Sequence, residues 1–153
     1  MKKASTLSFF LLLAAVYFSF YNLMPRSISS LETAETEFST ERALVPLKEI
    51  TKAPHYVGTK ENKRVREFLI QQLKELDLNP EIQRGYVLNE KEKRMNQPVN
   101  IVAKIKGTES KKSLLVFSHY DSALTPSFGA SDAGSGVVTI LESLRAFKAT
   151  GKN

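Results

Sequence analysis

The sequence SLLVFSHYD, residues 113–121, ends an apolar run with a His and an Asp two positions apart. The large apolar residues at 114–117, which follow Ser113, predict a short buried β-strand over 113–117. Because side chains alternate along a strand, His119 and Asp121 are expected to point one way and Tyr120 the other. Tyr120 is therefore interpreted as a packing residue, and the His-Asp pair as the chemically active face.

A second motif, GASDAGSG at residues 129–136, places Asp132 in a turn of small residues eleven positions after Asp121. From Ser135 onward, apolar residues at helical spacing predict an α-helix. Imidazole nitrogen and carboxylate oxygen are zinc ligands, and a zinc-bound imidazole usually donates its other N–H to a carboxylate. The two motifs therefore predict a zinc site with His119 and Asp132 available as ligands and Asp121 as the residue that orients His119.

Together with Leu141-Glu142-Ser143-Leu144-Arg145 and the upstream segment 53–62 (APHYVGTKEN), these motifs resemble the di-zinc aminopeptidase family, family twenty-eight of the metallopeptidases. The membrane-bound endoplasmic-reticulum metallopeptidase branch is the more similar one. The resemblance covers about residues 38–150. It implies an α/β fold, the N-terminal part of a three-layer mixed-sheet zinc peptidase.

The resemblance also implies roles for individual residues. His119 becomes a ligand of one zinc ion, Asp132 the carboxylate that bridges two zinc ions, and Asp121 the catalytic-site carboxylate that orients His119. The peptide bond after the bridging Asp is often cis in this family, so the Asp132–Ala133 bond is expected to be cis. The implied reaction is aminopeptidase-type hydrolysis of peptide substrates.

The expected general base and the later metal ligands of the family lie downstream of the helix at 135–148, and this sequence ends at Asn153. The chain is therefore expected to be incomplete and loosely folded alone: the N-terminal part of a longer enzyme, a half completed from elsewhere, or the product of a broken gene. Two alternatives remain open. One is a non-catalytic membrane-anchored scaffold of the same fold, and the other is a glutaminyl-cyclase-like acyltransferase with one zinc.

The N-terminus carries Lys2 and Lys3 before a nearly uninterrupted apolar run from Leu7 to Met24. This run is close to the ~20 residues that span a bilayer. We expect a transmembrane anchor at 1–25, with a cleaved signal peptide as the alternative, a solvated stalk at 26–37, and the peptidase domain at 38–153. The two lysines favour a cytoplasmic N-terminus, which would place the domain on the periplasmic, lumenal or exterior side.

The rest of the chain predicts helices from Ser39 or Thr40, with Pro46 kinking or delaying the first, and from Lys60 to Leu76. Strands are expected at Glu81–Leu88 and Val99–Ile105, with a turn at 106–112. His55 is interpreted as a loop residue whose ring bonds within its turn. Glu142 is interpreted as a solvent-facing or capping residue.

The formal net charge of +6 does not indicate a nucleic-acid partner. Lys and Arg are scattered, lie opposite apolar helix stripes, and alternate with Glu in the longest charged run. The glycines of 129–136 lack the Gly-Lys-Ser/Thr that closes a phosphate loop. The absence of Cys is compatible with a non-cytoplasmic domain and leaves the redox compartment open.

Overall fold

The computed structural model describes residues 2–25, 27–107 and 112–151, with side chains described from residue 6 onward. Helices and strands are mixed along the chain, which confirms the predicted α/β class. In order, the elements are α1 (Lys2–Leu23), α2 (Thr40–Ile50), α3 (Lys60–Glu75), β1 (Glu81–Arg84), β2 (Val87–Asn89), β3 (Arg94–Asn96), β4 (Val99–Val102) and α4 (Ser135–Ala149).

Helix α1 corresponds closely to the predicted apolar span. Its window from Thr6 to Leu23 is long and apolar enough to cross a membrane, and none of that window is buried against the rest of the structure. A signal sequence near an N-terminus has the same two properties. Helix α1 is therefore a candidate for either a membrane span or a signal sequence.

Helix α2 begins where the sequence predicts, because Ser39 caps it. Ser39 is extended, and its hydroxyl accepts a hydrogen bond from the Arg42 backbone N–H at 3.1 Å. This satisfies one of the N–H groups that a helix start leaves without a partner. Pro46 lies inside α2, and it neither delays the start nor ends the helix before Ile50.

Helix α3 is capped in the same way, by Thr59, whose hydroxyl accepts from the Asn62 N–H at 3.0 Å. Its buried apolar residues Val65, Leu69 and Leu73 recur every four positions and form one stripe. The predicted helix from Lys60 to Leu76 is confirmed to within one residue.

The hydrophobic core lies between the helices α2, α3 and α4. Residues in and after β4 cover one side of this core: Ile101, Ala103 and Tyr120 pack against it and are themselves partly exposed. The buried cluster comprises Ala43, Ile50, Val65, Leu69, Leu73, Val138 and Leu141.

The described strands form two antiparallel pairs. In one, β1 pairs with β4 so that Glu81 lies opposite Val102 and Arg84 opposite Val99; in the other, β2 pairs with β3. The predicted strand at 81–88 is thus divided into β1 and β2, and the predicted strand at 99–105 ends at Val102. The residues between these two predicted strands contain β3, which pairs with β2 in the second hairpin.

The prediction of a buried strand at 113–117 is wrong. No strand is formed at 112–121, and the side chains of Leu114, Leu115, Val116 and Phe117 are 60 to 90% exposed. A strand requires a neighbouring strand to pair its main-chain groups. None of the described strands pairs with this segment, because β4 pairs only with β1. The turn predicted at 106–112 falls largely on 108–111, outside the described residues.

The segment predicted as a stalk has no helix or strand in its described part, 27–37, but its main chain is hydrogen-bonded to α2 and α4. Arg42 donates to the carbonyls of Leu31 and Thr33 at 2.8 and 2.7 Å, and to those of Ala34 and Glu37. Arg145 donates to the carbonyls of Glu35 and Glu37. We call this arrangement of Arg42, Arg145 and segment 29–39 the clasp.

Glu142 lies at the centre of the clasp. Of its two interpretations, the solvent-facing one is wrong, whereas its contact with the N–H of Ser39, the residue that caps α2, agrees with the capping one. Glu142 is 5% exposed, and its carboxylate accepts from Arg42 Nε at 3.1 Å, from Arg145 Nε at 2.7 Å and from the Ser39 N–H at 2.9 Å. A buried carboxylate requires such partners to offset its lost hydration. The two arginines supply them, and they are then oriented to bind the segment 31–37.

Candidate metal site

The motif residues 118–122 lack strand pairing but are held at their middle residue, Tyr120, and at their last residue, Ser122. The Tyr120 hydroxyl donates to the Val99 carbonyl at 2.6 Å, which confirms Tyr120 as a packing residue and ties it to β4. The buried Ser122 accepts from the His55 N–H at 2.8 Å through its hydroxyl, and its own N–H donates to the His55 carbonyl at 3.3 Å. Ser122 was not predicted as a site residue, because its only sequence signal is its position directly after Asp121.

His55 is the buried partner of this anchor. It is 1% exposed, its Nδ1 lies 2.9 Å from the Ala53 carbonyl, and its carbonyl also accepts from the Asn62 side-chain amide at 3.0 Å. The predicted ring hydrogen bond within the turn is confirmed. His55 thereby links the loop before α3 to the end of the motif.

The turn at 129–134 requires glycine at two positions. Gly129 has φ of 67°, and a Cβ there would lie 3.1 Å from Ser122 Cβ and 3.2 Å from His55 Cε1. A Cβ on Gly134 would lie 2.7 Å from the carbonyl oxygen of Gly129. The turn is therefore folded tightly against the His55–Ser122 contact, and it leads directly into α4.

Asp132 lies in this turn, in an extended conformation with φ of −124° and ψ of 95°. The peptide bond between Asp132 and Ala133 is cis, as expected from the resemblance. The Ser118 hydroxyl donates to the Ala133 carbonyl at 3.3 Å, so the turn also contacts the start of the motif.

The structure brings the three predicted site residues together. His119 Nε2 lies 2.9 Å from Asp132 Oδ1, and His119 Nδ1 lies 3.1 Å from the Asp121 carbonyl and 3.4 Å from Asp121 Oδ1. The two ring nitrogens of His119 therefore face different aspartates: Nε2 faces Asp132 and Nδ1 faces Asp121. The side chains are open to solvent, with His119 51% and Asp132 83% exposed.

The surroundings of His119 raise the pKa of its imidazole above the ordinary value. Partial burial is the largest single influence and lowers the pKa. The hydrogen bond to the Asp121 carbonyl, the contact with Asp132 and the charges of both carboxylates act the other way, and together they outweigh it.

The donors present fit zinc in chemical type but form only part of a zinc site. Zinc sites use nitrogen, sulfur and oxygen donors, and even an open catalytic site has three protein ligands. Among residues 2–25, 27–107 and 112–151, no group of three or more His, Cys, Asp or Glu could hold a metal ion. His119 Nε2 and Asp132 Oδ1 are thus two neighbouring donor atoms, and Asp121 lies on the other side of the imidazole ring, near Nδ1.

Comparison with known protein families gives a match in the part of the sequence that contains the candidate site. Residues 100–153 match the family model of peptidase family M28, and this range contains both site motifs. The predicted resemblance to metallopeptidase family twenty-eight is therefore confirmed. No curated protein matches the chain.

The fold is similar to that of two glutaminyl cyclases. With the Porphyromonas gingivalis enzyme the TM-score is 0.65 and the identity 24%, over 74% of this chain and 40% of that chain. With the Macrostomum lignano enzyme the TM-score is 0.63 and the identity 18%, over 82% of this chain and 40% of that chain. These similarities define the fold class, and the chain spans about 40% of the length of each structure.

Proposed function

We propose that this chain is the N-terminal part of a membrane-anchored zinc metallopeptidase that hydrolyses peptides in the manner of an aminopeptidase. The observation that carries the proposal is the position of His119, with Nε2 2.9 Å from Asp132 and Nδ1 facing Asp121. The proposed ligands are His119 and Asp132, with Asp121 as the positioning residue. The match to family M28 over 100–153 supports it.

Within this site each residue has a distinct task. Asp121 and its carbonyl accept from Nδ1–H of a neutral His119, which leaves the Nε2 lone pair directed at the metal position. Asp132 contributes a carboxylate oxygen at the same point and, in a two-metal site, would bridge. Zinc bound there would supply a water of lowered pKa and polarise the scissile carbonyl.

We propose that the other residues needed for the reaction lie elsewhere in the complete fold. The resemblance places the general base and the other ligands after the helix that corresponds to α4. We also propose that the complete sheet is three-layered and mixed, since the similar solved structures are about two and a half times as long as the part matched here. The exposed residues 114–117 would then be a strand in its interior.

Glutaminyl-cyclase-like acyl transfer, with one zinc ion, is a second candidate. The fold similarity to two glutaminyl cyclases favours it about as well as the family match favours a peptidase. The two reactions differ in metal stoichiometry and product. A complete enzyme that binds two zinc ions and releases a free N-terminal residue supports the peptidase; one zinc and a cyclised N-terminal glutamine support the cyclase. A scaffold without catalysis would bind no zinc.

We further propose that α1 anchors the domain in a membrane and that the domain lies on the non-cytoplasmic side. Five residues, 24–28, separate α1 from Ser29, which is already bonded to Thr40 of α2 at 2.8 Å. A chain of this length reaches at most about 20 Å. The domain would therefore lie close to the bilayer, and protection of the domain from added protease in sealed vesicles tests its side.

Zinc binding by the full chain in nonionic detergent tests the proposed site. We expect His119→Ala and Asp132→Asn each to weaken zinc binding at least ~10-fold in competition with a chromophoric chelator, and Asp121→Asn to weaken it by roughly 10 to 100-fold. Because the pKa of His119 is raised and zinc requires the neutral imidazole, binding should weaken as the pH falls.

The matched control is Asp77→Asn, which removes an exposed carboxylate far from the motif in sequence. Asn also tolerates the positive φ of this position. We expect wild-type zinc affinity from this variant. If the wild type binds zinc and His119→Ala binds it with equal affinity, the proposed site is ruled out.

A further inference from the structure

A cavity separate from the His119 cluster has a strongly basic lining. Its volume is about 400 Å³, and it lies between the start of α3, the end of β1 and the residues that lead into β4. Four cationic side chains line it: Lys60, Lys63, Arg66 and Arg84. No Asp or Glu is among its lining residues in the described part of the chain.

Three of the four cations have no ion-pair partner among the described residues. Lys63 pairs with Glu67 at 3.7 Å, whereas Lys60, Arg66 and Arg84 form no such pair. This contrasts with Arg42, Arg64 and Arg145, which are paired with carboxylates within 3.1 Å. The positive charges of Lys60, Arg66 and Arg84 are therefore not neutralised by ion pairs in the described part of the chain.

The backbone increases this positive potential. Lys60, Lys63 and Arg66 are spaced three residues apart, so they lie along one side of the first two turns of α3. The N-terminus of this 16-residue helix, with Gly58 and Thr59, forms part of the same lining. The partial positive charge of a helix N-terminus adds to that of the side chains.

Part of the remaining lining suits a polar ligand. Asn96, the last residue of β3, and Gln97, in the β3–β4 connection, line the cavity and carry amide donors. Val57, Met95 and Val99 add apolar surface to the lining. The Val99 carbonyl accepts a hydrogen bond from the Tyr120 hydroxyl. The cavity therefore adjoins the strand to which the His119 motif is attached.

We propose that this cavity binds a compact multivalent anion through phosphate or carboxylate groups. Arg66 and Arg84, from α3 and β1, contribute planar guanidinium groups that match the oxygens of such anions. The site requires no zinc and does not depend on the proposed peptidase activity. An anion held there would lie beside β4 and Tyr120.

Titration of the full chain with pyrophosphate in nonionic detergent tests the proposal. The protein is first treated with EDTA, because pyrophosphate also binds zinc. The EDTA is then removed by dialysis, because it is itself a multivalent carboxylate, and the ionic strength is held constant with sodium chloride. We expect saturable binding by isothermal titration calorimetry. The double variant Arg66→Gln, Arg84→Gln should weaken it at least ~10-fold, which is about 1.4 kcal/mol.

The matched control is the double variant Lys48→Gln, Lys106→Gln, which removes the same charge from two exposed positions outside the cavity. It should stay within ~twofold of the wild type, since distant exposed charges are largely screened. Arg66→Lys with Arg84→Lys keeps the charge but loses the guanidinium geometry, so its affinity should lie between that of the wild type and that of the glutamine double variant in the cavity. Equal loss in the two glutamine variants would overturn the proposal.

Two further arms identify the source of the anion. Citrate that displaces pyrophosphate supports a free polycarboxylate or phosphate ligand. Phosphatidylglycerol added to the micelles and displacing pyrophosphate supports a lipid headgroup as the source. Failure of pyrophosphate, citrate and phosphatidylglycerol to bind the wild type would overturn the site altogether.

Discussion

The clasp segment 29–39 and the apolar segment 114–117 both differ from what their composition would suggest: the polar segment is held in place, and the apolar segment is exposed. The clasp segment is polar and contains no helix or strand, yet five of its carbonyls accept hydrogen bonds from Arg42 and Arg145. The apolar segment consists of large hydrophobic residues and remains at least 60% exposed.

The difference follows from what each segment requires from its neighbours. A loop is fixed once its main-chain groups find donors, and two guanidinium groups oriented by one buried carboxylate provide many of them. An apolar strand needs strands beside it and cover on both faces. In the described part of the chain only the first requirement is met.

The largest expected effect is on the clasp. Glu142→Gln removes the charge that orients Arg42 and Arg145. It leaves Arg42 without a carboxylate partner and Arg145 with only the exposed carboxylate of Glu35. Breaking a buried ion pair on one side costs about 3 to 5 kcal/mol. We expect the free energy of unfolding to fall by about 3 kcal/mol in urea denaturation, the low end, because both arginines keep carbonyl partners.

The control for this variant is Glu67→Gln, which breaks the exposed Lys63–Glu67 pair at 3.7 Å. Exposed pairs contribute little to stability, so its unfolding curve should match the wild type. Identical unfolding curves for the two variants would mean that the clasp does not stabilise the domain.

A smaller effect is expected from acid. Burial raises the pKa of Glu142, but the hydrogen bonds from Arg145, the Ser39 N–H and Arg42 lower it by more, so its net pKa lies below the ordinary 4.5. A lowered folded-state pKa gives stability that is present above the ordinary value and is lost as the pH falls through the lowered one.

Urea denaturation between pH 6 and pH 3 measures this contribution. The wild type should lose stability below about pH 4.5, and Glu142→Gln should lose less over the same interval because its side chain does not titrate. Parallel loss in the two proteins would assign the acid sensitivity to other carboxylates.

The smallest effect on stability is expected at the apolar segment. Leu115 and Phe117 are 79% and 82% exposed, so the double variant Leu115→Ser, Phe117→Ser removes almost no buried area. Its free energy of unfolding should stay within about 0.5 kcal/mol of the wild type. Light scattering should show less self-association, because exposed unpaired apolar segments promote aggregation.

A loss of stability above about 1 kcal/mol in this variant would show that the segment is packed in solution. Its matched control is Leu69→Ala, a substitution in the buried stripe of α3, where a Leu→Ala change costs about 2 to 5 kcal/mol. The pair of variants thus compares an exposed leucine with a buried one in the same chain.

The helices could be predicted from the sequence because their signals are local. Ser39 and Thr59 supply caps, and the spacing of Val65, Leu69 and Leu73 defines one buried stripe. These features act within a few residues of each other. The predicted starts of α2, α3 and α4 are accordingly confirmed.

The strands and the clasp were harder to predict because their partners are distant in sequence. The composition of 113–117 indicates a strand but cannot supply the strand that must pair with it. Glu142 looks like any charged helix residue until the fold brings Arg42, one hundred positions away, to 3.1 Å. Its neighbour Arg145 was the one local signal available.

For the candidate site, residue types and spacing were enough to select His119, Asp121 and Asp132, and the structure brings these side chains together. Their roles as metal ligands and positioning residue stay predictions. The anchoring of the motif through Ser122 and His55 was not visible in the sequence, since the two residues are 67 positions apart.

The sequence by itself determined the helices, the cis bond at Asp132–Ala133 expected from the resemblance, and the family to which the motifs are similar. These depend on local spacing and on residue identity. Only the tertiary structure decided that Glu142 is buried, that segment 29–39 is held by two arginines, and that residues 114–117 lack pairing. Burial and pairing depend on which distant segments come together, and a linear pattern does not carry that information.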